Sequence, residues 1–339
     1  MTMQSVTLDD VAHAAGVSRA TASRALTGSG PASAGVREKV RAAAADLGFT
    51  PNQAARALAS NKAHAIALVI PESDSLVLGD PFIGGMITGV AEAFRDTDYQ
   101  LILIIVRPDE PPDKASRLLR PSFVDGAIIV SHHLSGQLEQ EIAAHAVPTV
   151  YVGRPWATDQ PGVLYVDLDN TRCGLLATRV LIDRGARNIA CIAGPSDMSA
   201  VQDRTEGWQA ALREAGLTPG PLLHALFTIQ GGAMAMERLL EDAPEIDAVF
   251  AQSDLIAAGA IRVLTRASRH VGDDVFVVGI DNSDAARTTT PRLTTMTNPP
   301  AELSLRAAKM LLRVIDEETD PALIEPEIVE PTVVRRESA

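Results

Sequence analysis

Val6-Thr7-Leu8-Asp9-Asp10-Val11-Ala12-His13-Ala14-Ala15-Gly16-Val17-Ser18-Arg19-Ala20-Thr21-Ala22-Ser23-Arg24 is the stretch from which the rest of the chain can be read. Thr7 can cap a helix through its hydroxyl, and Asp10 suits the positive end of that helix, a capping-box-like start. Leu8, Val11, Ala12 and Ala15 then fall on one helical face. Gly16 ends the helix, and Ser18 can cap a second one running to about Leu26. The turn Ala15-Gly16-Val17-Ser18 has the length and the glycine of a helix-turn-helix. After the break Thr27-Gly28-Ser29-Gly30-Pro31, Ser33 can cap a third helix with the apolar stripe Val36, Val40, Ala44 and Leu47, stopped by Gly48. Residues 1–50 thus read as a three-helix headpiece. Residues 51–63 read as a linker: Pro51 and the alanines favour helix, but about ten residues are too few for a stable lone helix.

Beyond the linker the pattern changes. Apolar runs of strand length at 65–70, 101–106, 126–130, 149–152, 188–193, 248–251 and 275–280 alternate with helical stretches near 82–95, 135–146, 170–185, 202–215, 231–241, 254–267 and 300–317. Such alternation predicts parallel sheets covered on both faces, and its length exceeds one comfortable core, so two doubly wound lobes are expected. The 339 residues suit about two domains plus an accessory piece. With 46% apolar, 22% charged and 4% aromatic residues there is ample material for a large core. No apolar run approaches the roughly 18 residues of a membrane helix. Residues 1–10 lack the basic start and apolar stretch of a signal peptide, and Cys173 and Cys191 have no metal-site spacing. A cytoplasmic protein with no membrane partner is expected. Its net charge of −13 would argue against nucleic acid, but residues 1–63 carry seven Lys/Arg against four Asp/Glu, a balance of +3 that leaves −16 on the rest. That asymmetry is compatible with nucleic-acid contact by the headpiece.

The headpiece residues 6–12, 15–18, 21, 23–24, 33, 36–40, 47–49 and 51–58 resemble, in order, those of the lactose-repressor/galactose-repressor (LacI/GalR) family of transcription regulators. Further on, Asp80-Pro81-Phe82, Val124-Asp125-Gly126, Asp169-Asn170, Ala193-Gly194-Pro195, Arg204 with Gly207-Trp208, Ser253-Asp254, Val278-Gly279-Ile280-Asp281, Pro291-Arg292-Leu293-Thr294-Thr295 and Arg335-Arg336-Glu337-Ser338 fall in family order too. The resemblance implies an α/β chain: a helix-turn-helix headpiece, a hinge helix within 51–63, and a two-lobed, periplasmic-binding-protein-like core of doubly wound parallel sheets. The lobes would comprise 64–163 with 294–322 and 164–293 with 323–339. The chain would cross between them near 162–166, 291–296 and 320–325.

At the DNA end, a recognition helix offers its first turns to base edges in the major groove. Here those positions are Arg19, Ala20, Thr21, Ser23 and Arg24. An arginine can bond guanine bidentately, whereas Ala20 offers a methyl to thymine. Thr7, Ser18 and Thr21 suit phosphates, which orient without specifying. By resemblance, Leu58, in the frame Pro51-Asn52…Arg56-Ala57-Leu58, matches the hinge leucine that wedges into the minor groove and bends the operator, and Asn52 and Ala55 join it as DNA-contact candidates. Paired headpieces would mirror a roughly palindromic operator, so a homodimer on double-stranded DNA is expected.

Ligands of doubly wound folds bind at the carboxyl ends of strands. Arg204, Asp254 and Asp281 are family-matched candidates for such a site between the lobes, with Asn170 beside them. Each acid could instead be a helix N-cap. Phe82, Trp156 and Trp208 could stack on a sugar face, Trp208 also suiting a packing role beneath Arg204. Charged and planar groups of this kind suit a small saccharide, whose hydroxyls both donate and accept. A purine or other nonsugar corepressor is the alternative. His132-His133 should point apart at a strand end, the other histidines are scattered, and no nucleophile elbow, His-Glu-x-x-His or phosphate loop is present. No catalytic residue, metal ligand or cofactor is assigned: the expected function is sequence-specific repression under ligand control.

Overall fold

In a computed structural model the described residues are 6–27, 32–49, 62–107, 110–111, 117–134, 147–156, 158 and 162–339. The chain divides into two compact units after Ala63. The linker and helix expected over 51–63 and near 135–146 fall mainly outside the described residues, and with them Asn52, Ala55 and Leu58.

The first unit holds α1 (Leu8–Ala15), α2 (Arg19–Thr27) and α3 (Ala34–Asp46). Thr7 closes a full capping box: its amide donates to Asp10 Oδ2 at 2.8 Å, and the Asp10 amide donates back to Thr7 Oγ1. Gly16 sits at φ +65°, the left-handed conformation a tight helix stop needs, and the Val17 amide then reaches back to the Ala12 carbonyl. Ser18 accepts from the Thr21 amide and Ser33 from that of Val36. Val11, Ala12, Ala15, Ala22, Ala25, Val40 and Ala44 form a small core. Leu47, expected on the α3 stripe, is 38% exposed; Phe49, beyond the Gly48 stop, packs against the core instead.

The second unit contains two six-stranded sheets. In the first, β1 (Ala65–Ile70), β2 (Gln100–Ile105), β3 (Gly126–Val130), β4 (Thr149–Val152), β5 (Leu164–Leu168) and β11 (Glu327–Val329) lie in the order β11-β5-β4-β3-β1-β2, all parallel. In the second, β6 (Ile189–Ala193), β7 (Leu222–His224), β8 (Ala248–Ala251), β9 (Phe276–Asp281), β10 (Thr294–Thr297) and β12 (Val333–Val334) lie in the order β12-β10-β9-β8-β6-β7, with β12 alone antiparallel. The helices are α4 (Asp74–Gly79), α5 (Pro81–Ala93), α6 (Asn170–Asp183), α7 (Ser199–Glu214), α8 (Ile229–Asp242), α9 (Asp254–Arg266), α10 (Asp284–Thr288) and α11 (Pro300–Ile315). No helix among the described residues is long and apolar enough to cross a membrane.

The sheets correct the lobe boundaries read from the sequence. β5 belongs to the first sheet and β10 to the second, so the chain crosses at Asp169, at 298–299 and at 330–332, after each expected crossing. The reason is chemical. β5 carries Asp167 in its middle, β10 is Thr294-Thr295-Met296-Thr297, and β11 is three residues long, so none presents the apolar run that marks a buried strand.

Candidate functional site

The carboxyl ends of β3, β4, β5, β8 and β9 converge on a cleft of about 860 Å³, counted to its open mouth. Phe82, Asn170, Arg204 and Asp281 line it together, as the sequence reading placed them. Asp80, Ser131, His132, Asp167, Phe227 and Asn298 also line it and were not anticipated there.

Arg204 is positioned by two glycines. A Cβ on Gly174 would lie 2.0 Å from the Arg204 carbonyl oxygen, and one on Gly207 would lie 2.0 Å from that of Thr171, so α6 and α7 touch backbone to backbone. Arg204, only 7% exposed, thereby reaches the first turn of α6: its Nε donates to Asn170 Oδ1 at 2.8 Å and its Nη1 to the Gln252 carbonyl at 3.0 Å. Asn170 in turn donates from Nδ2 to Asp167 Oδ1 and to the Leu168 carbonyl, both at 3.0 Å. Asn170 thus spends its donors inside the protein, and the remaining N–H groups of Arg204 make no protein hydrogen bond among the described residues.

The other ionisable groups of the cleft are pushed toward their neutral forms. Burial, reinforced by the charge of Asp254 and offset by Arg204 and Asn298, holds Asp281 well above the usual carboxylate range. Burial raises Asp167 to about 6 and also raises Asp80. Burial lowers His132 to about 4, leaving it neutral, with Nε2 3.2 Å from the Gly153 carbonyl. Asp281 sits at φ +117°, rarely adopted by L side chains, and is held there by Asn298, whose Nδ2 donates to its Oδ1 at 3.0 Å.

Asp254 does not line the cleft. Its carboxylate is fully buried and accepts from the Ser283 amide at 2.7 Å, the Ser283 hydroxyl at 2.9 Å and the Thr295 hydroxyl at 2.6 Å. It anchors the turn that carries Asp281, while Ser253, not Asp254, caps α9. Trp208 is buried core with 1% exposure, and Trp156 lies outside the cleft lining. The adjacent histidines diverge, though beyond the end of β3 and after Ser131 at φ +53° rather than on a strand: His132 packs edge-on to Tyr151, whereas His133 faces Glu72 and Asp197.

In the first unit, α2 turns Ala22 and Ala25 into the core and leaves Arg19, Ala20 and Arg24 exposed, with Thr21 and Ser23 half-buried. Arg19 Nη1 lies 3.1 Å from Asp9 Oδ2 on the solvent side. Thr7, Ser18 and Thr21 are engaged in capping bonds, Ser18 and Thr21 sharing a hydroxyl pair at 2.9 Å. The exposed row on α2 is what a groove-reading helix presents.

Comparison with known proteins agrees at both ends of the chain. Residues 7–52 match the model of bacterial regulatory proteins of the lacI family, and residues 63–328 match that of periplasmic binding proteins and the sugar binding domain of the LacI family. The chain is 38% identical to the HTH-type transcriptional regulator CelR of Thermobifida fusca over 335 residues, 98% of each chain. It is 32% identical to the ribose operon repressor of Escherichia coli over 340 residues, 98% of this chain and 99% of that one. A solved complex of the regulator CelR with cellobiose superposes with a TM-score of 0.78 at 36% identity, covering 98% of this chain and all of the other. These relatives are transcriptional regulators, not enzymes, and this chain belongs with them to the LacI family of bacterial transcriptional repressors.

Proposed function

We propose that the chain acts as a dimeric repressor whose hold on a roughly palindromic operator is set by a small neutral saccharide bound between the two lobes. The observation that carries this reading is the electrostatic character of the cleft. One buried guanidinium with unspent donors stands among carboxyls raised toward their protonated forms. The guanidinium supplies donors and the acids beside it supply acceptors to hydroxyls that both donate and accept, and those acids disfavour an anionic effector. Phe82 and Phe227 supply apolar faces from the two lobes. Phe82, Asn170, Arg204 and Asp281 are the effector residues in this reading, Asn170 acting by orienting Arg204, and Asp254 acts through the turn it anchors. Arg19, Ala20, Thr21, Ser23 and Arg24 face the major groove, Thr7 and Ser18 the phosphates, and Asn52, Ala55 and Leu58 form the minor-groove hinge.

The CelR complex makes cellobiose the first candidate. Because sugar-binding members of this family mostly release DNA on binding, effector here loosens the operator. Calorimetric titration of the full chain with cellobiose, ribose and a purine base tests the assignment. Saturable binding of a saccharide that is lost in Arg204→Met supports it. Binding of the purine alone, or of none of the three, refutes it.

A further inference from the structure

At the edge of the cleft, on segments that also contribute to its lining, a second set of residues joins the lobes. From the first lobe come Glu72, after β1, and residues 131–134 and 153–156, after β3 and β4; from the second come residues 197–203, between β6 and the first turn of α7. Arg154 grips Asp203 with two nitrogens, Nη2 at 2.8 and 2.9 Å and Nε at 3.1 Å. The Ser199 hydroxyl donates to the Arg154 carbonyl at 2.5 Å. The Asp197 carbonyl accepts from Trp156 Nε1 at 3.1 Å and from the Leu134 amide at 2.8 Å. The His133 ring lies between carboxylates of opposite lobes, Nε2 3.1 Å from Glu72 Oε1 and Nδ1 3.0 Å from Asp197 Oδ2.

We propose that Arg154, Asp203, His133, Glu72 and Asp197 form a clasp that holds the lobes together through protein contacts alone and so sets the core's open–closed balance without touching the effector. None of the five lines the cleft. They nevertheless act on it, because Asp203 immediately precedes Arg204 on α7. Gripping Asp203 fixes the height of Arg204 relative to the first lobe. When only one lobe arrangement binds tightly, apparent affinity scales with the fraction of molecules already in it. Arg154 and His133 are therefore positioning residues for effector affinity. Asp197 is 51% exposed, but the Arg154–Asp203 and His133–Glu72 pairs are partly shielded from water: side-chain exposure is 30% for Arg154, 20% for Asp203, 22% for His133 and 9% for Glu72. They are screened less than surface ion pairs. The groups facing His133 are Glu72 and Asp197, with His132 beside it and Arg154 and Asp203 across the next contact. Burial works against the charged ring, but the bonds and charges of Glu72 and Asp197 outweigh it and hold His133 at about 9, so the bridge is charged at neutral pH.

The Leu134 amide, bonded across the lobes, reports on the clasp without any effector. Hydrogen exchange of the full chain should show this amide exchanging at least ~10-fold faster in Arg154→Met and in Asp203→Asn, while the β3 amides stay within about twofold of wild type. Arg154→Lys, which keeps one contact, should fall between. Unchanged Leu134 exchange in both Arg154→Met and Asp203→Asn, or a rise matched by β3, overturns the clasp. Either result is independent of whether the effector is a saccharide.

Discussion

Replacing Gly174 by alanine adds one methyl and no charge, yet it should loosen Arg204, the arginine on which the proposed effector recognition rests. The new Cβ would lie 2.0 Å from the Arg204 carbonyl oxygen and 3.0 Å from its Cα. The obstacle is backbone, so no side chain can swing aside. Alanine gains about 0.8–1.0 kcal/mol over glycine within a helix. Overpacking a well-filled interface costs about 1–3 kcal/mol, and a backbone clash belongs at the upper end. The net expectation is a loss of about 1–2 kcal/mol. Gly84, in α5, supplies the control, because a Cβ there meets nothing within 4 Å. Gly84→Ala should therefore stabilise by up to about 1 kcal/mol. Urea unfolding of the full chain, followed by tryptophan fluorescence, should place the two variants on opposite sides of wild type. Saccharide affinity should fall in Gly174→Ala only, since the helix that must retreat carries Arg204. A Gly174→Ala protein as stable as wild type would refute the close α6–α7 crossing and the positioning derived from it.

Arg24→Ala should cost about 1–3 kcal/mol of discrimination between operator and random DNA if a bidentate guanine contact is removed, as competition binding would show; equal weakening on both DNAs assigns Arg24 to phosphate instead. Arg204→Met should still bind operator in a mobility-shift assay but no longer respond to saccharide, and a retained response would move the effector site elsewhere. The buried pair Asp254 and Asp281 binds protons more tightly folded than unfolded, Asp254 titrating at about 6, because burial dominates. A raised carboxyl stabilises the fold below the unfolded value near 4 and loses that contribution as pH rises through about 6. Wild type should therefore gain roughly 2 kcal/mol on Asp254→Asn between pH 7 and pH 4, read from paired urea titrations, and parallel curves would contradict the assignment.

What could be read from the sequence was whatever has a short-range cause. Thr7, Gly16, Ser18 and Ser33 act on neighbours within four residues, and each occupies the cap or turn its chemistry specified. Strands buried on both faces, such as Ala65–Ile70, betray themselves by continuous apolar residues. Arg204, Asn170 and Asp281 were legible by resemblance and by their place after strand ends, and they do meet in one cleft. Asp254 was misplaced because ligand contact and turn anchoring demand the same residue type at the same strand end; only the positions of Ser283 and Thr295 distinguish them. Asp167 and His132 were missed for a related reason. Asp167 matters because Asn170 links it to Arg204, 34 residues beyond Asn170, and His132 because it meets the Gly153 carbonyl 21 residues on; no periodicity reveals either. The glycines that seat α7 on α6 gave no local signal, since a helical glycine looks the same whether its Cβ would meet backbone or open water.

Coupling between cleft and headpiece is tested most directly on DNA chosen by the protein itself. Labelled duplexes selected by the full chain from a random pool, followed by fluorescence anisotropy during titration with cellobiose, read both ends at once. Cleft control of a dimeric repressor predicts selected sequences with two-fold related half-sites and loss of anisotropy as cellobiose saturates. Linkage further requires that the same duplex weaken cellobiose binding by the same factor. Undiminished DNA binding at saturating cellobiose, with calorimetry showing the sugar bound, would contradict it.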